Sequence, residues 1–417
     1  MNVKNHKLYK YKLYSHIMTD SFYKNISVLS KKIFKNPEVL KDRYIPDKFL
    51  FRDNERKRIM DEIMMYFYDN RLEPNDIYIY GPPSTGKTHM IKSIINEVNE
   101  FAKKYEWNIQ MIYTSFKNRT YTQGLGYLAG INVKPKSGYS SDDLVRRIVD
   151  NKLRKNDLTG IVFDEIDKMR FTSTYKIDTE IDNLVGTFTK FYEMFDNVKI
   201  FSIFISNKDI NKYLTHPTKS TFSPLHINFR GYTPSEIYKI LEDRCKMAFN
   251  DGIIDDNALS ALIQKLKTIH DLRLGLKTLF MSGKLLPILG KDKIDEEVID
   301  KAFEEVQKNM VSDRISKLDY TNLLVVYYTA LLQKENHNYP QMTEIYNIYK
   351  KNIIGKPLSF NYISNYVVPR LEGEGLLMSE VKGLGRGRGK ARFLYVDEGW
   401  IDDIILFCEG KMKEGIS

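Results

Sequence analysis

The feature that most constrains this chain is the segment Gly81–Thr88, which reads GPPSTGKT. It matches the pattern G-x-x-x-x-G-K-[ST], with a short apolar run (76–80) before it and a helical pattern (87 to about 105) after it. The glycines allow backbone N–H groups to face a phosphate, the lysine neutralises its charge, and the threonine hydroxyl ligates Mg²⁺. A chance glycine turn is the alternative interpretation. The segment predicts a site for ATP or ADP with Mg²⁺, formed by Gly81, Pro82, Pro83, Ser84, Thr85, Gly86, Lys87, Thr88 and His89.

Two further polar groups follow apolar runs downstream. Asp164 and Glu165 come after the run 161–163, and Asn207 ends the predicted strand 199–206. Because α/β sheets place ligands at the carboxyl ends of their strands, we expect Asp164 to hold Mg²⁺ through water and Glu165 to polarise the attacking water. Asn207 would orient the same water, and Thr88 and Asp164 form the predicted metal site. A strand that ends in an acidic turn, and a turn-forming Asn, are the alternatives.

The order of the predicted elements gives the fold class. Strands at 76–80, 109–114, 160–163 and 199–206 alternate with helices at 87–105, 142–151 and 181–195, which predicts a parallel, helix-covered α/β sheet. After about Gly231 only helices are predicted until a third region begins near Ser312. We therefore expect a basic N-terminal arm (1–45), a nucleotide-binding core (46–230), a helical lid (231–311) and a C-terminal domain (312–417).

Composition narrows the class of protein. The 417 residues carry a net charge of +10, with twelve basic against four acidic side chains in 1–52 and nine against three in 350–392. Two separate basic segments favour contact with a polyanion, although a solvated surface would have the same composition. The two cysteines lie far apart, and neither a signal peptide nor a membrane-spanning run is evident. We expect a cytoplasmic, nucleoid-associated protein without membrane contact.

The order of these motifs resembles that of the AAA+ ATPases, and more closely the archaeal origin-recognition and cell-division-control initiators. The segment Tyr44–Arg52 resembles the family's entry segment. Residues 112–114 and 120–121 resemble its second strand region, and His270–Arg273 resembles its glycine-Asp-x-Arg motif. The resemblance implies that Tyr44, Ile45 and Arg52 lie beside the adenine, and that Arg273 reaches the γ-phosphate from the lid. It also implies a C-terminal winged helix.

The segment 357–377 resembles the recognition helix of that winged helix. Ser359 is a suitable N-cap, and Ile363, Val367 and Leu371 recur at helical spacing toward a core. Pro369 would kink or shorten the helix. The glycine-rich run 382–392 resembles the wing, although a flexible basic loop is the alternative. The predicted DNA contacts are Ser359, Asn361, Tyr362, Asn365, Arg370, Arg386, Arg388, Lys390 and Arg392.

Members of the family also carry a helical insertion that touches DNA. By position it falls near 116–140, where Lys117 and Arg119, with Lys134 and Lys136, offer positive charge; solvated surface lysines are the alternative. The family also places an arginine in the helix after the strand-terminal Asn, where this chain has Pro217. Since lysine lacks the planar fork of arginine, Lys219 would be a poor substitute. We therefore expect slow hydrolysis, with the nucleotide acting mainly as a conformational ligand.

The resemblance implies a DNA replication initiator. Such a protein binds origin duplex DNA, helps to load the replicative helicase and acts with paralogous initiators. The main alternative is a nucleotide-switched winged-helix regulator of transcription or defence. A clamp-loader or remodelling motor fits less well, because such motors need the missing arginine.

Overall fold

The computed structural model describes residues 32–134, 138–170, 177–267, 271–383 and 389–414. Its chain divides into two compact units. The first contains the described residues up to Phe280 together with Asp292–Glu296, and the second contains Met281–Lys291 and the described residues from Glu297 onward. The four-part division made from the sequence is finer and stays a prediction.

The first unit is built on a parallel sheet of five strands in the order β2-β3-β4-β1-β5. The strands are β1 (Ile77–Tyr80), β2 (Ile109–Ser115), β3 (Leu158–Asp164), β4 (Ile200–Ser206) and β5 (Leu225–Asn228). Their neighbours are in parallel register throughout, as in Ser115 opposite Asp164 and Tyr80 opposite Ser206. The carboxyl ends of β1, β3 and β4 therefore meet at one edge of the sheet.

Helices connect the strands and continue after them. They are α1 (Asp53–Tyr68), α2 (Lys87–Lys104), α3 (Tyr121–Ala129), α4 (Ser141–Ile148), α5 (Ile177–Thr189), α6 (Phe191–Met194), α7 (His216–Thr221), α8 (Pro234–Ala248), α9 (Asp256–Leu266) and α10 (Leu272–Leu285). A π-turn at Val149–Leu153 follows α4, and short 3-10 turns lie at Pro37–Leu40, Ile166–Lys168 and Ile210–Lys212.

Alternating strand residues bury two cores, one on each face of this sheet. Ile77 and Ile79 of β1 belong to the core that includes α1 and α2, whereas Tyr78 belongs to the core that includes α3, α4 and α5. β3 is buried along its whole length. Since both faces are covered, the strands read as continuous apolar runs rather than as alternating ones.

The second unit contains helices and a two-stranded hairpin. They are α11 (Glu296–Ser316, within this unit from Glu297), α12 (Tyr320–Asn336), α13 (Met342–Asn352), α14 (Phe360–Tyr362), α15 (Val368–Gly373), the antiparallel strands β6 (Met378–Gly383) and β7 (Lys390–Tyr395), and α16 (Ile401–Glu414). Residue Gln341 pairs with Phe393 of β7 as an isolated bridge. Helical segments followed by a two-stranded hairpin are the element order expected of a winged helix.

The predicted fold class is confirmed, with corrections to single elements. The sequence analysis missed β5, because Leu225–Asn228 has only four residues and includes His226. It also merged α5 and α6, which are separated at Lys190. The predicted helix across 142–151 ends as an α-helix at Ile148 and continues as the π-turn. Among the described residues, no helix has both the length and the apolar content needed to cross a bilayer.

Candidate functional site

The loop Gly81–Gly86 joins β1 to α2 at the carboxyl edge of the sheet. Gly81 has φ +146°, and a Cβ atom there would lie 2.0 Å from the carbonyl oxygen of Phe229, so the neighbouring backbone excludes any side chain. Gly86 has φ +90° and is the N-cap of α2. The loop therefore presents the N-terminus of an 18-residue helix, which attracts anions.

Lys87 is buried inside the curve of this loop. Its Nζ donates hydrogen bonds to the carbonyl oxygens of Gly81 (2.8 Å) and Pro82 (2.6 Å). Burial lowers the pKa of Lys87 to about 8, although the charges of Asp167 and Asp164 oppose that shift. The ammonium group is thus held at the loop by carbonyl oxygens, which a phosphate can replace as acceptors.

Thr88 and Asp164 face each other across the start of α2. Thr88 Oγ1 donates to Asp164 Oδ2 over 2.7 Å, and Tyr113 Oη donates to the same oxygen over 2.8 Å. Burial raises the pKa of Asp164, while the hydrogen bonds from Thr88 and Tyr113 act against the rise. A hydroxyl and a carboxylate together suit Mg²⁺. The described residues contain no group of three or more His, Cys, Asp or Glu side chains that could hold a metal ion.

Glu165 lies one residue beyond Asp164 in a left-handed backbone conformation, with φ +56°. Its carboxylate accepts hydrogen bonds from Lys168 Nζ (2.8 Å) and Ser115 Oγ (3.2 Å), and Lys117 Nζ lies 3.8 Å away. Burial acts to raise the pKa of Glu165, but Lys168 and Lys117 outweigh it, so the pKa lies below its ordinary value. The carboxylate is charged and held by protein partners.

Asn207 lies at the end of β4, in the cleft that also contains Lys87, Asp164 and Glu165. Its backbone N–H and its side-chain Nδ2 donate to the two carboxylate oxygens of Asp167, at 3.0 and 3.3 Å. The structure therefore brings the predicted residues of three strands into one cleft, with Asn207 oriented by Asp167.

A second cleft adjoins this one and is more apolar. Its lining combines the entry segment, the loop and helices α8 and α10, and includes Tyr44, Leu50, Ser84, His89, Ile240 and Arg273. Arg273 is exposed and lines both clefts. His89 Nε2 lies 2.6 Å from the carbonyl oxygen of Asp42, which ties α2 to the entry segment, and burial lowers the pKa of His89.

Two of the residues predicted to contact the nucleotide, Arg52 and Ile45, do not line either cleft. Arg52 is fully buried, bonds the carbonyl oxygen of Thr85 over 3.3 Å and Glu55 over 3.0 Å, and stacks on the Tyr232 ring at 4.1 Å. It supports the loop from behind and does not line either cleft. Ile45 packs on the apolar core instead. Both corrections have the same cause, since a sequence pattern does not tell which side of a loop a side chain occupies.

The recognition helix predicted in the second unit has an exposed polar face. Ser359 caps α14 by accepting the backbone N–H of Tyr362 at 3.2 Å. Asn361, Tyr362 and Asn365 are exposed, and Tyr366, which the sequence analysis did not select, lies with its ring 5.1 Å from that of Tyr362. The predicted core positions Ile363, Val367 and Leu371 are buried.

Pro369 does not end this helix. A π-turn at Ile363–Val367 links α14 to α15, and the N–H of Val368 bonds the carbonyl of Ile363. In that register the next bond would run from residue 369 to the carbonyl of Ser364, but proline has no N–H. Arg392 of β7 donates to that carbonyl instead, over 2.9 Å.

Arg392 is therefore engaged within the protein. Its guanidinium also bonds Ser379 Oγ (2.9 Å) and the Glu372 carboxylate (3.3 and 3.2 Å). Arg370 is exposed and pairs loosely with Glu374 and Asp319, at 3.4 and 3.7 Å. Lys390 is exposed. Arg386 and Arg388, like Lys136, His270 and residues 1–31 of the predicted arm, lie outside the described residues.

The family comparisons agree with this geometry. Residues 77–220 match the model of the ATPase family associated with various cellular activities (AAA). The chain is 27% identical over 365 residues to an ORC1-type DNA replication protein of Desulfurococcus amylolyticus, covering 86% of this chain and 90% of that protein. An ORC1-type DNA replication protein of Pyrococcus furiosus is 26% identical, with 91% of both chains covered.

The chain is thus similar to ORC1-type DNA replication proteins over most of its length, and its residues 77–220 match the AAA family. Solved structures of related proteins share the fold. The Aeropyrum pernix ORC1 protein in complex with DNA has a TM-score of 0.78 at 21% identity, over 93% of this chain and 99% of that one. Cdc6p of Pyrobaculum aerophilum has a TM-score of 0.55 at 17% identity, over 92% and 100% of the two chains.

The region 116–140, where the helical insertion was predicted, contains α3 and ends at Ser140, the N-cap of α4. Lys117 is exposed beside Glu165, whereas Arg119 stacks on the Tyr127 ring at 4.1 Å and bonds the carbonyl of Ser115. Lys134 is exposed. Lys117 therefore lies next to the cleft that contains Glu165.

The sequence analysis did not select several side chains that bond residues of the site: Tyr113, Ser115, Asp167 and Lys168. It also did not predict that the Asp271 side chain bonds the loop. Ser115 could have been found, because it ends the strand next to β3 and lies opposite Asp164 in the register. Asp167 and Lys168 follow Glu165 in a 3-10 turn, which no periodicity in the sequence indicates.

Proposed function

We propose that this protein is an ATP-dependent initiator of DNA replication that binds origin duplex DNA. One observation carries the proposal. Lys87, the Thr88–Asp164 pair and Asn207 meet in one cleft, in a chain that resembles ORC1-type DNA replication proteins over nearly its whole length. A nucleotide site and a winged helix in one chain support a switch that acts on DNA.

The nucleotide site would bind ATP or ADP with Mg²⁺. The loop N–H groups and Lys87 hold the phosphates, Thr88 and Asp164 hold the metal ion, and Arg273 supplies a cation from the lid. Bound ATP brings a transferable γ-phosphoryl group, and Mg²⁺ neutralises its charge. Tyr44 and Ile240 line the more apolar cleft, which suits the base.

Hydrolysis is proposed to be slow. Glu165 is placed to accept a proton from water, but its carboxylate is bonded to Lys168 and Ser115. In α7 the expected arginine position is Pro217, the second residue of the helix. Since an arginine supplied by a partner accelerates phosphoryl transfer by about 10³–10⁵ in other NTPases, its absence favours a long-lived bound state.

The DNA surface is proposed to combine base-reading and backbone-binding groups. Asn361 and Asn365 present amides suited to base edges, and Tyr362 lies between them on the exposed face. Lys390, Arg370, Arg386 and Arg388 would contact phosphates, and Lys117 and Arg119 would add contacts from the first unit. Helicase loading and action with paralogous initiators are further parts of the proposal, supported by the resemblance alone.

The test is genome-wide occupancy of the tagged protein, with Lys87→Ala as a nucleotide-site variant and Lys103→Ala as a matched control on the same helix. Sharp peaks at replication origins in the wild-type protein and the control would support the proposal. Peaks mainly at promoters would favour the nucleotide-switched regulator. An absence of peaks would contradict DNA binding by the winged helix.

A further inference from the structure

Ser84 occupies a backbone conformation that disfavours its own side chain. It lies in the middle of the loop with φ +63°, in the left-handed region where glycine carries no steric penalty. A strained residue persists only where its surroundings hold it, and such residues cluster at functional sites. The question is what the serine side chain provides that glycine would not.

The Ser84 hydroxyl bonds the lid. Oγ donates to Asp271 Oδ1 over 2.6 Å in a partly buried setting. The same carboxylate oxygen accepts the backbone N–H of Arg273 at 2.9 Å, at the start of α10. One oxygen atom therefore joins the phosphate-binding loop to the first turn of the lid helix.

This junction includes the backbone N–H of Arg273. Arg273 lies two residues after Asp271, and its side chain reaches both clefts, as does Ser84. The loop and the helix are 187 residues apart in sequence, so their registry at this point depends on contacts of this kind. A hydrogen bond to a carboxylate is short and strong compared with one between neutral groups.

We propose that the Ser84–Asp271 hydrogen bond is a positioning contact that holds Arg273 where a terminal phosphate lies, and so gives the site its preference for ATP over ADP. The inference rests on the proposed nucleotide site and deepens it. The loop and Lys87 serve the phosphates that ATP and ADP share. Only the additional phosphate of ATP requires a cation from the lid, so loss of the contact acts on ATP alone.

Two substitutions separate the contact from the strain. Ser84→Gly removes the hydroxyl and also relieves the left-handed strain, whereas Ser84→Ala removes the hydroxyl and keeps the strain. Dissociation constants for ATP and ADP with Mg²⁺ would be measured by competition against a fluorescent nucleotide. For both variants we expect the preference for ATP over ADP to fall by about tenfold, the effect of losing one hydrogen bond to a charged group.

The ratio of the two affinities is the informative quantity. A merely structural role for Ser84 would weaken ATP and ADP by the same factor and leave the ratio unchanged, which would overturn the inference. In an Arg273→Ala background, Ser84→Gly should cause no further loss of ATP preference. A full tenfold loss in that background would likewise overturn it, because the contact would then act by a route other than Arg273.

The conservative variant Asp271→Asn provides a rescue control. Its side-chain oxygen can accept both the Ser84 hydroxyl and the Arg273 N–H, so it should retain more ATP preference than Asp271→Ala. Equal loss in the two variants would contradict a role for the hydrogen bond. If the wild-type protein bound neither nucleotide, the proposed function itself would fail; if it bound both and the ratio in Ser84→Gly stayed at the wild-type value, only the inference would fail.

Discussion

The nucleotide cleft of the first unit and the candidate DNA surface of the second unit satisfy their polar groups in different ways. In the cleft, Lys87 and Asp164 are buried and bonded to other groups of the protein. On the candidate DNA surface, Asn361 and Asn365 of the recognition helix and Lys390 of β7 are exposed. Buried charges depend strongly on their partners, whereas exposed charges are screened by water and salt. The cleft should therefore depend on single residues, and the surface on many weak contacts.

The largest effect is expected from Lys87→Ala. Removing the ammonium group should weaken ATP binding by about 100-fold or more, since the bound phosphates would then lie in the cleft without the cation that Lys87 provides. Titration calorimetry with ATP and Mg²⁺ measures this loss. Lys103→Ala, an exposed change at the other end of α2, should bind as the wild type does. A loss below tenfold for Lys87→Ala would break the contrast between the two regions.

The next largest effect is expected from salt, which should weaken DNA binding at the exposed surface. With about four phosphate contacts, DNA affinity should fall by about 100-fold between roughly 50 and 200 mM salt. Fluorescence anisotropy with a labelled duplex measures the slope of log affinity against log salt. A flat slope would mean that the surface binds through buried, unscreened groups, contrary to the exposure of its side chains.

A buried carboxyl group outside the cleft, that of Asp76 just before β1, should also depend strongly on its surroundings. Asp76 accepts the backbone N–H of Ser202 over 2.6 Å, and burial raises the pKa of Asp76 to about 6. The folded state then binds a proton more tightly than the unfolded state, so the stability that Asp76 contributes is present below pH 4 and is lost as pH rises through 6. Relative to the wild type, Asp76→Asn should gain about 2–3 kcal/mol in the free energy of unfolding between pH 4 and 7. Urea unfolding at both pH values measures this change, and a constant difference would contradict the buried-charge account.

The smallest effects concern two basic residues of β7. Arg392→Ala should lower the free energy of unfolding of the second unit by about 1–3 kcal/mol, because it leaves the Ser364 carbonyl and Glu372 without their shared partner. Lys390→Ala should leave that stability unchanged and weaken DNA binding by a few-fold. Chemical unfolding and anisotropy, applied to both variants, distinguish the roles. A large loss of DNA affinity in Arg392→Ala without loss of stability would place it on the surface after all.

Much of the fold could be predicted from local patterns. The loop Gly81–Thr88 and the apolar runs of β1, β3 and β4 are continuous in sequence, and parallel register then brings their ends together. β5 was missed, because four residues with one histidine give too little periodicity. The covering cores were also foreseeable, since buried parallel strands show no polar alternation.

The site was predicted less completely, because it depends on contacts between distant segments. Arg52 was assigned to the nucleotide, yet it lies behind the loop against Tyr232, a residue 180 positions later. Arg392 was assigned to DNA, yet its hydrogen bonds complete a helix interrupted by Pro369. In both cases the sequence analysis assigned an arginine to an external anion, whereas in the fold its guanidinium group bonds other groups of the protein.

The π-turn at Ile363–Val367 is equivalent to a one-residue insertion accommodated without breaking the helix. Deleting one residue from its exposed side, such as Asn365, would convert the segment toward a regular helix. One residue corresponds to about 100° of rotation, so Phe360–Tyr362 would turn by that angle about the axis relative to α15. The hairpin and the core would keep their positions, while Phe360–Tyr362 would present different side chains on the exposed face of the helix. Loss of a single codon would then be enough to change which side chains this helix presents.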